Sequence, residues 1–228
     1  MLGFRFKRAA QFGLPSEIRV DNQNQKLHLP SAIGASQAFI DIFLDDCYGL
    51  EKLPHSINKI LDVGAHVGLF SLAARRLFPA ATIHAYEPNL NLEPYLKSQA
   101  HIGQFQYFLE AVGLNAGKVF LDIHKDSVST RSIIDQNGTI PQIPFRTAVQ
   151  RIGGTVDLVK LDCEGAEWDM LKDVEAWQNV KHITMEYHLW PAHSHEEIIS
   201  VIKKLGFMVT TQRVTHKDYG ILIATRRK

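Results

Sequence analysis

The sequence predicts an α/β fold with a doubly wound, mostly parallel sheet of seven strands. From Lys59 onward, short apolar runs alternate with segments of helical spacing, which is typical of parallel strands joined by helices. The last two predicted strands, Phe207–Val214 and Tyr219–Thr225, have no helix between them and should form an antiparallel hairpin at the sheet edge. With 228 residues, 45% of them hydrophobic, the chain can bury a sizeable core.

The first part of the chain does not follow this alternation. We therefore expect residues 1–54 to form a short N-terminal extension and residues 55–228 to form the main domain. Within the extension, Glu17–Val20 and Lys26–Leu29 should pair as short strands around a polar turn. Ala38–Leu44 has helical apolar spacing. We expect this extension to cover one mouth of the main domain.

In the main domain, apolar runs and stop signals locate the strands and helices. Lys59–Val63 is a buried strand bounded by glycine, and Leu69–Phe78 is a helix that stops at a proline. Ser194 should cap the last helix, with Glu197 completing a capping box, and residues 127–144 should be irregular. The other predicted strands are Thr82–Tyr86, Phe105–Leu109, Lys118–Ile123, Asp157–Leu161 and His182–Tyr187. The other predicted helices are Leu92–His101, Glu167–Asp173 and Ser194–Leu205.

Charge and cysteine content limit the classes of partner. A formal net charge of +1 argues against a strong electrostatic grip on nucleic acid. Cys47 and Cys163 are too few for a disulfide framework and lack metal-ligand spacing, which favours a reducing, cytoplasmic setting. We see no signal peptide and no apolar run near the length of a membrane span. We therefore expect a cytoplasmic protein without nucleic-acid or membrane partners, while its oligomeric state is not indicated.

Residues 62–68 (DVGAHVG) follow the first strand of the main domain. In a doubly wound sheet, ligands bind at such carboxyl ends of strands. Gly64 permits a sharp turn close to a ligand, and Gly68 lets the next helix pack near the strand. The helix N–H groups that follow Ala65 can receive a carboxylate, and Asp62 can accept hydrogen bonds from an amino group. The loop therefore predicts a cofactor site.

His66 narrows the type of cofactor. It occupies the position of the second glycine in the dinucleotide motif G-x-G-x-x-G, so a pyrophosphate is poorly accommodated. S-adenosylmethionine carries no phosphate, and its methionine carboxylate suits the helix N-terminus. We therefore predict S-adenosylmethionine. A nicotinamide-dependent oxidoreductase is an alternative that would require His66 to tolerate a pyrophosphate.

The next two strand ends should complete the cofactor site. Glu87, followed by Pro88, ends the second strand, where a carboxylate can accept both ribose hydroxyls. A solvated loop acid is the alternative for Glu87. Glu110, Ala111 and Val112 end the third strand and should lie beside the adenine, although the two apolar residues are equally explained as core.

Charged residues gather at two further strand ends. Lys160, Asp162 and Glu164 alternate along the chain and should share one side of their strand. Charges at the end of a buried strand are costly unless they pair or serve a site. Glu186 and His188 end the neighbouring strand, so these side chains should converge on one pocket. We treat all five as candidate catalytic residues.

Transfer of a methyl group to an alcohol requires alignment and a base that removes the proton. His188 suits that role by its near-neutral pKa, and Glu164 suits it if burial raises its pKa. A structural ion pair with Asp162 or Glu167 is the alternative for Lys160. The acids would also favour a positive sulfonium, so Asp162 is a cofactor-binding candidate as well.

A metal site is a minority alternative in the same pocket. Asp162, Glu186 and His188 could together hold a divalent cation, although we expect no metal. The histidines that follow at His193 and His195 are more typical of solvated or capping residues. The Cys163 thiol should face the core, so we do not favour Cys163 as a nucleophile.

Five stretches of the sequence closely resemble the FkbM family of methyltransferases, over residues 48–186. The resemblance implies the class I methyltransferase fold, which is Rossmann-like, with S-adenosylmethionine as cofactor. It also implies O-methylation of hydroxyls on natural products and sugars, with N-methylation of peptides among relatives. The motifs are LDVGAHVGLFS (61–71), AYEPN (85–89), EAVG (110–113), DSVST (126–130) and DLVKLDCEGAEWDML (157–171).

The resemblance assigns residues of this sequence to the family's motifs, and the sequence departs from the family pattern at two places. The family often has Asn where this sequence has His66, and Leu-Asp where it has Ala148-Val149. We predict methyl transfer to a hydroxyl of a small molecule, with an N-methyltransferase and a module that has lost catalysis as alternatives. Asp62, Gly64, Gly68 and Glu87 match the cofactor motifs, and Lys160, Asp162, Glu164, Gly165 and Glu167 match the family's own signature.

Overall fold

The computed structural model describes residues 13–20, 23–31, 33–122, 131–134, 137–189 and 193–227. The motif at residues 126–130 and the loop residues 190–192 lie outside the described residues. In chain order the strands and helices are β1 (Glu17–Val20), β2 (Gln23–Lys26), α1 (Ile33–Phe39), β3 (Lys59–Val63), α2 (Leu69–Leu77), β4 (Thr82–Tyr86), α3 (Glu93–Gly103), β5 (Gln106–Phe108), β6 (Ala111–Gly113), β7 (Gly117–Asp122), β8 (Arg131–Ile134), β9 (Ile140–Pro144), α4 (Phe145–Arg151), β10 (Val156–Leu161), α5 (Glu167–Met170), α6 (Val174–Trp177), β11 (Val180–His188), α7 (His195–Lys204), β12 (Phe207–His216) and β13 (Tyr219–Arg226).

The central sheet has seven strands in the order β12-β13-β11-β10-β3-β4-β5. The five strands from β11 to β5 run parallel, and β13 and β12 join them antiparallel. The predicted doubly wound sheet with a C-terminal hairpin is therefore confirmed. The chain order reverses at β3, because β10 and β4 lie on opposite sides of it, and such reversals are where ligands bind in open α/β sheets.

The sheet separates two hydrophobic cores. Neighbouring residues of β3 point to opposite faces, so Ile60 packs with residues of α2 and α3, whereas Leu61 packs with residues of α4 and α7. The same alternation holds in β10, where Leu158 and Val159 join different cores. Burial on both faces explains why these strands read as continuous apolar runs in the sequence.

The N-terminal extension shares one of these cores. Ile18, Val20, Leu27 and Phe39 pack in the same apolar cluster as Phe70 of α2. Helix α1 continues as a π-helical turn over residues 40–44. The second strand of the extension is β2, three residues earlier than predicted, and it pairs antiparallel with β1.

Where the sequence predicted an irregular segment, at residues 127–144, the described residues include two strands of a second sheet, β8 and β9. Strands β6, β9, β7 and β8 pair in that order, and α4 follows directly after β9. The prediction of an irregular segment was wrong because turn-forming Ser, Gly, Pro and Asn hid two short strands. Their partners lie far away in the chain, for example Ala111 and Gly117, which both pair with Gln142.

Two local predictions in the last third also need correction. The predicted helix Glu167–Asp173 is shorter, because α5 ends at Met170. Asp173 accepts a hydrogen bond from Ala176 N–H and caps a second short helix, α6. Ser194 caps α7 as predicted, accepting from Glu197 N–H at 3.1 Å. The Glu197 carboxylate lies 3.0 Å from His193 Nδ1 instead of completing the capping box.

Candidate active site

A cavity of about 660 Å³ opens at the carboxyl ends of β3, β4, β10 and β11. The N-terminal extension lines one side of it, through residues 34–48, and the turn between β12 and β13 lines another. The described part of the extension therefore borders the cavity. Of the predicted site residues, the cavity is lined by Gly64, Ala65, His66, Glu87, Pro88, Glu110, Ala111, Lys160, Asp162, Glu164, Glu186 and His188.

Glycine is required at both ends of the loop after β3. Gly64 has φ +77°, and a Cβ there would collide with the carbonyl oxygen of Asp162. Gly68 has φ +84°, and a Cβ there would lie 3.0–3.2 Å from side chains of α3 and from Phe105. Gly68 therefore allows close packing of α2, as predicted, and lies behind the cavity wall. The N–H groups of Gly64 and Ala65 both donate to the carbonyl of Tyr86, each at 3.0 Å, which ties the loop to β4.

Asp62 does not face the cavity. Its side chain is fully buried, accepts a hydrogen bond from Ser71 Oγ at 2.7 Å and lies 3.3 Å from Lys160 Nζ. Asp62 Oδ1 accepts no hydrogen bond from the described residues, so the contact from Asp62 to a cofactor amino group stays a prediction. The Asp62 carboxylate contacts Ser71 of α2 and Lys160 of β10, and it thereby connects β3 to both elements.

Lys160 is the buried cation of this region. Its ammonium donates to the carbonyl of Gly64 at 2.5 Å and lies 3.8 Å from Asp162 Oδ2. Burial opposes its charge, but Asp62 and Asp162 outweigh burial and raise the pKa of Lys160. The structural ion pair that we considered is present, with Asp62 as the nearer partner and not Glu167. An ammonium that stays charged cannot act as a base.

Glu87 is buried in the cavity wall. Its two oxygens accept from His66 N–H and Asn89 N–H, each at 2.8 Å. Burial raises the pKa of Glu87 to about 7, while these two hydrogen bonds oppose the rise. Glu87 is therefore not a solvated loop acid. Each oxygen retains a lone pair that can accept a hydroxyl.

His66 adopts a left-handed backbone, with φ +51°. Asn and His are among the non-glycine residues most often found in this region, which explains how His66 replaces the family's Asn. Burial lowers the pKa of His66 to about 4, so its ring is neutral.

Glu110 is held by a partner that the sequence did not reveal. Arg151 Nη1 lies 2.6 Å from Glu110 Oε2, and the guanidinium lies 4.4 Å from the ring centre of Phe108. Ala111 is buried and also lines the cavity. Glu110 and Ala111 thus line the cavity next to β5, the parallel strand that is farthest from β11.

At the other end, four ionisable side chains converge as predicted. His188 Nε2 lies 3.5 Å from Glu164 Oε2 and 3.6 Å from Glu186 Oε1. One ligand atom each from Asp162, Glu164 and His188 lie within 4.8 Å of one another, a spacing that a divalent cation could bridge. This group contains Glu164, whereas the metal alternative from the sequence contained Glu186.

The protonation of this cluster differs from the prediction. Burial opposes charge on His188, but its hydrogen bond with Glu167, at 3.2 Å, and the Glu164 carboxylate raise its pKa to about 9. The expected near-neutral pKa of His188 was wrong, so this ring carries a proton near pH 7. Burial raises the pKa of Glu186 to about 8, and Asp162 adds to the rise.

Glu167 orients the cluster from behind. Its carboxylate is fully buried and accepts from Cys163 N–H and Gly165 N–H, each at 2.9 Å, as well as contacting His188. Burial raises the pKa of the Cys163 thiol well above its usual value, so a thiolate nucleophile is disfavoured.

Tyr48 is a site residue that the sequence did not assign. It comes from the N-terminal extension and donates from its hydroxyl to Asp162 Oδ2 at 2.9 Å. Its position at the start of the family resemblance was the available signal. Gln37 and Asp41 of the extension and Arg213 of β12 also line the mouth.

The fold and the site together define a class I S-adenosylmethionine-dependent methyltransferase. The Methyltransferase FkbM domain model matches residues 62–209, more than half of the chain. This chain belongs to the FkbM methyltransferase family, and its methyl donor is S-adenosylmethionine.

Named relatives agree with this family. Methyltransferase sdnD of Sordaria araneosa is 28% identical over 87% of this chain and 92% of its own length. The 31-O-demethyl-FK506 methyltransferase FkbM of Streptomyces tacrolimicus is 24% identical over 86% of this chain and 90% of its own length.

Solved structures share the fold. The Methanococcus jannaschii fibrillarin pre-rRNA processing protein has a TM-score of 0.53 at 13% identity, covering 98% of this chain and 86% of its own. Aeropyrum pernix fibrillarin, solved with natively bound S-adenosyl-L-methionine, has a TM-score of 0.51 at 12% identity, covering 78% and 71%. Among the described residues, no helix has the length and apolar character needed to cross a membrane.

Proposed function

We propose that this protein transfers the methyl group of S-adenosylmethionine to a hydroxyl of a small molecule. The observation that carries the proposal is the position of the Glu186 carboxyl. It lines the cavity beside Asp162 and His188, at the end opposite Glu110 and its partner Arg151. A cavity of about 660 Å³ is within the usual range for cofactor sites, roughly 300–1,000 Å³.

The residues around the loop fit the cofactor. Glu87 offers oxygens to a ribose diol, and Glu110 with Ala111 borders the far end, where an adenine would lie. Asp162 and Glu164, at the opposite end, suit a positive charge. When bound, the cofactor supplies a methyl group on a positively charged sulfur. We propose that the loop from Gly64 to His66 borders its methionine part.

The acceptor hydroxyl must lose a proton as its oxygen attacks the methyl carbon. We propose Glu186 as the base, because its carboxyl lines the cavity and its pKa of about 8 is matched to proton transfer near that pH. His188 carries a proton and is proposed to hold Glu164 and Glu186 in place. Asp162 and Glu164 are proposed to align the acceptor and to balance the sulfonium.

A hydroxyl acceptor is favoured over an amide or amine. One relative, the 31-O-demethyl-FK506 methyltransferase FkbM, is named for methylation of an oxygen, and a carboxylate base suits removal of a hydroxyl proton. An N-methyltransferase that acts on a peptide is the second candidate. We further propose that residues 1–54 serve as a cap over the cavity, and that the protein works in the cytoplasm without nucleic-acid or membrane partners.

Binding and transfer test the proposal separately. Calorimetric titration of purified protein should give saturable binding of S-adenosylmethionine, and absence of binding at millimolar ligand would contradict the cofactor site. Labelled cofactor and a panel of hydroxylated compounds should then yield a methyl ether. Transfer to nitrogen would favour the second candidate. Binding without transfer to any acceptor would favour a module that has lost catalysis.

A further inference from the structure

We infer that Tyr48, a residue of the N-terminal extension, is a positioning residue that fixes the Asp162 carboxylate for methyl transfer. The inference rests on the proposed function of the cavity. It assigns the extension a part in the chemistry, beyond covering the mouth.

Tyr48 is itself held from several sides. It is 5% exposed, and its ring packs edge-to-face on Phe70, with ring centres 5.4 Å apart. Its carbonyl oxygen accepts from Thr184 Oγ1 at 2.8 Å, in the strand that carries Glu186 two residues later. The position of the hydroxyl is therefore set by packing, before any ligand binds.

The hydroxyl acts on one atom of the site. It donates to Asp162 Oδ2 at 2.9 Å, while Lys160 Nζ lies 3.8 Å from the same oxygen. Burial, followed by Asp162, holds the pKa of the Tyr48 hydroxyl far above its usual value, so it keeps the proton that it donates. One hydrogen bond, from Tyr48, and one ion pair, with Lys160, thus hold the carboxylate of Asp162 from the protein side.

Asp162 lies between the two halves of the site. Its N–H donates to the carbonyl of Val63 at 3.1 Å, and its carbonyl oxygen blocks any Cβ at Gly64. Its carboxylate lines the cavity near Glu164 and His188. A rotation of this side chain would therefore disturb the acceptor end while leaving the cofactor loop in place.

The test is a double-mutant cycle with Tyr48→Phe and Asp162→Asn. Phe keeps the ring and removes only the hydroxyl. We expect Tyr48→Phe to lower kcat about ten- to a hundredfold, the size of a lost hydrogen bond to a charged group, and to change the Kd for S-adenosylmethionine less than about threefold. In the Asp162→Asn background it should have almost no further effect.

Tyr107→Phe is the matched control. Tyr107 lies on β5 and its hydroxyl also donates to a carboxylate, that of Glu93 at 3.2 Å, but neither residue lines the cavity. It should leave kcat unchanged. Two outcomes overturn the inference: kcat and affinity falling in parallel, which indicates cavity collapse, or full multiplicative effects of the two substitutions.

The cycle is also run on the free energy of unfolding, which needs no acceptor. Non-additive costs support the contact between Tyr48 and Asp162, and additive costs overturn it. A wild type that binds cofactor but methylates nothing would refute the proposed function alone. The unfolding cycle would still decide whether the two side chains act together.

Discussion

The two ends of the cavity hold their acids in different ways. At the end that we propose for the cofactor, Glu87 is bonded to two backbone N–H groups, and Glu110 is paired with Arg151. At the end that we propose for the reaction, Glu164 and Glu186 lie 3.5 and 3.6 Å from His188 Nε2, and the pKa values of Glu186 and His188 are raised to about 8 and 9. The first arrangement fixes the positions of two carboxylates, and the second sets the protonation states of Glu186 and His188. Substitutions at the two ends should therefore fail in different ways.

The largest effect is expected where the two ends meet. Gly64→Ala introduces a Cβ that collides with the Asp162 carbonyl at φ +77°. We expect roughly 3 kcal/mol or more of lost stability, together with lost cofactor binding. Denaturant unfolding and calorimetry measure both. Gly117→Ala is the matched control, since a Cβ there meets nothing within 4 Å, and it should change stability by about 0.5 kcal/mol or less. Equal effects of the two would disprove the steric explanation.

Next in size is the loss of the proposed base. Glu186→Gln removes the carboxylate with little change of shape, so we expect kcat to fall about 10²- to 10⁴-fold with a nearly unchanged Kd for cofactor. Single-turnover kinetics with labelled cofactor measure the loss. Glu197→Gln, on α7 beside His193, is the control and should behave as wild type. A variant that retains turnover would remove Glu186 from the mechanism.

Glu87→Gln should give the opposite pattern. The amide cannot accept from both backbone N–H groups and a diol as a carboxylate does, so we expect about a ten- to hundredfold weaker Kd for S-adenosylmethionine. Turnover at saturating cofactor should change much less. If kcat falls as far as in Glu186→Gln, the division between the two ends is incorrect.

The smallest effect is the pH dependence of turnover. Because the folded pKa of Glu186 is raised to about 8, its carboxylate form increases as pH rises through 8. Burial is the main cause of this raised pKa, Asp162 and Glu164 add to the rise, and His188 and Lys160 oppose it. We expect kcat to rise about tenfold from pH 7 to pH 8.5 and to level off as the group ionises. A profile that is already flat above pH 6 would contradict the assignment.

Buried strands and their ends could be predicted from the sequence alone. The bounds of β3 and β4 matched because both are apolar runs that end at glycine or proline signals. The glycine-bounded loop and the convergence of Asp162, Glu186 and His188 followed from strand order, since neighbouring parallel strands end at the same edge.

What could not be predicted depends on long-range pairing. The partners of Lys160 and Glu110 lie 98 and 41 positions away, and the contact between Tyr48 and Asp162 spans 114. The pKa of His188 depends on Glu167, a buried carboxylate whose direction no local pattern reveals. Residue types indicated the chemistry at each strand end, while the pairing among the side chains decides which group can accept a proton.

The most direct test of the central claim follows a labelled methyl group from S-adenosylmethionine into product. We predict a methyl ether from wild-type protein, with Glu186→Gln binding the cofactor equally well and transferring the label at least about a hundredfold more slowly. Transfer to nitrogen, or a Glu186→Gln variant as fast as wild type, would contradict the account.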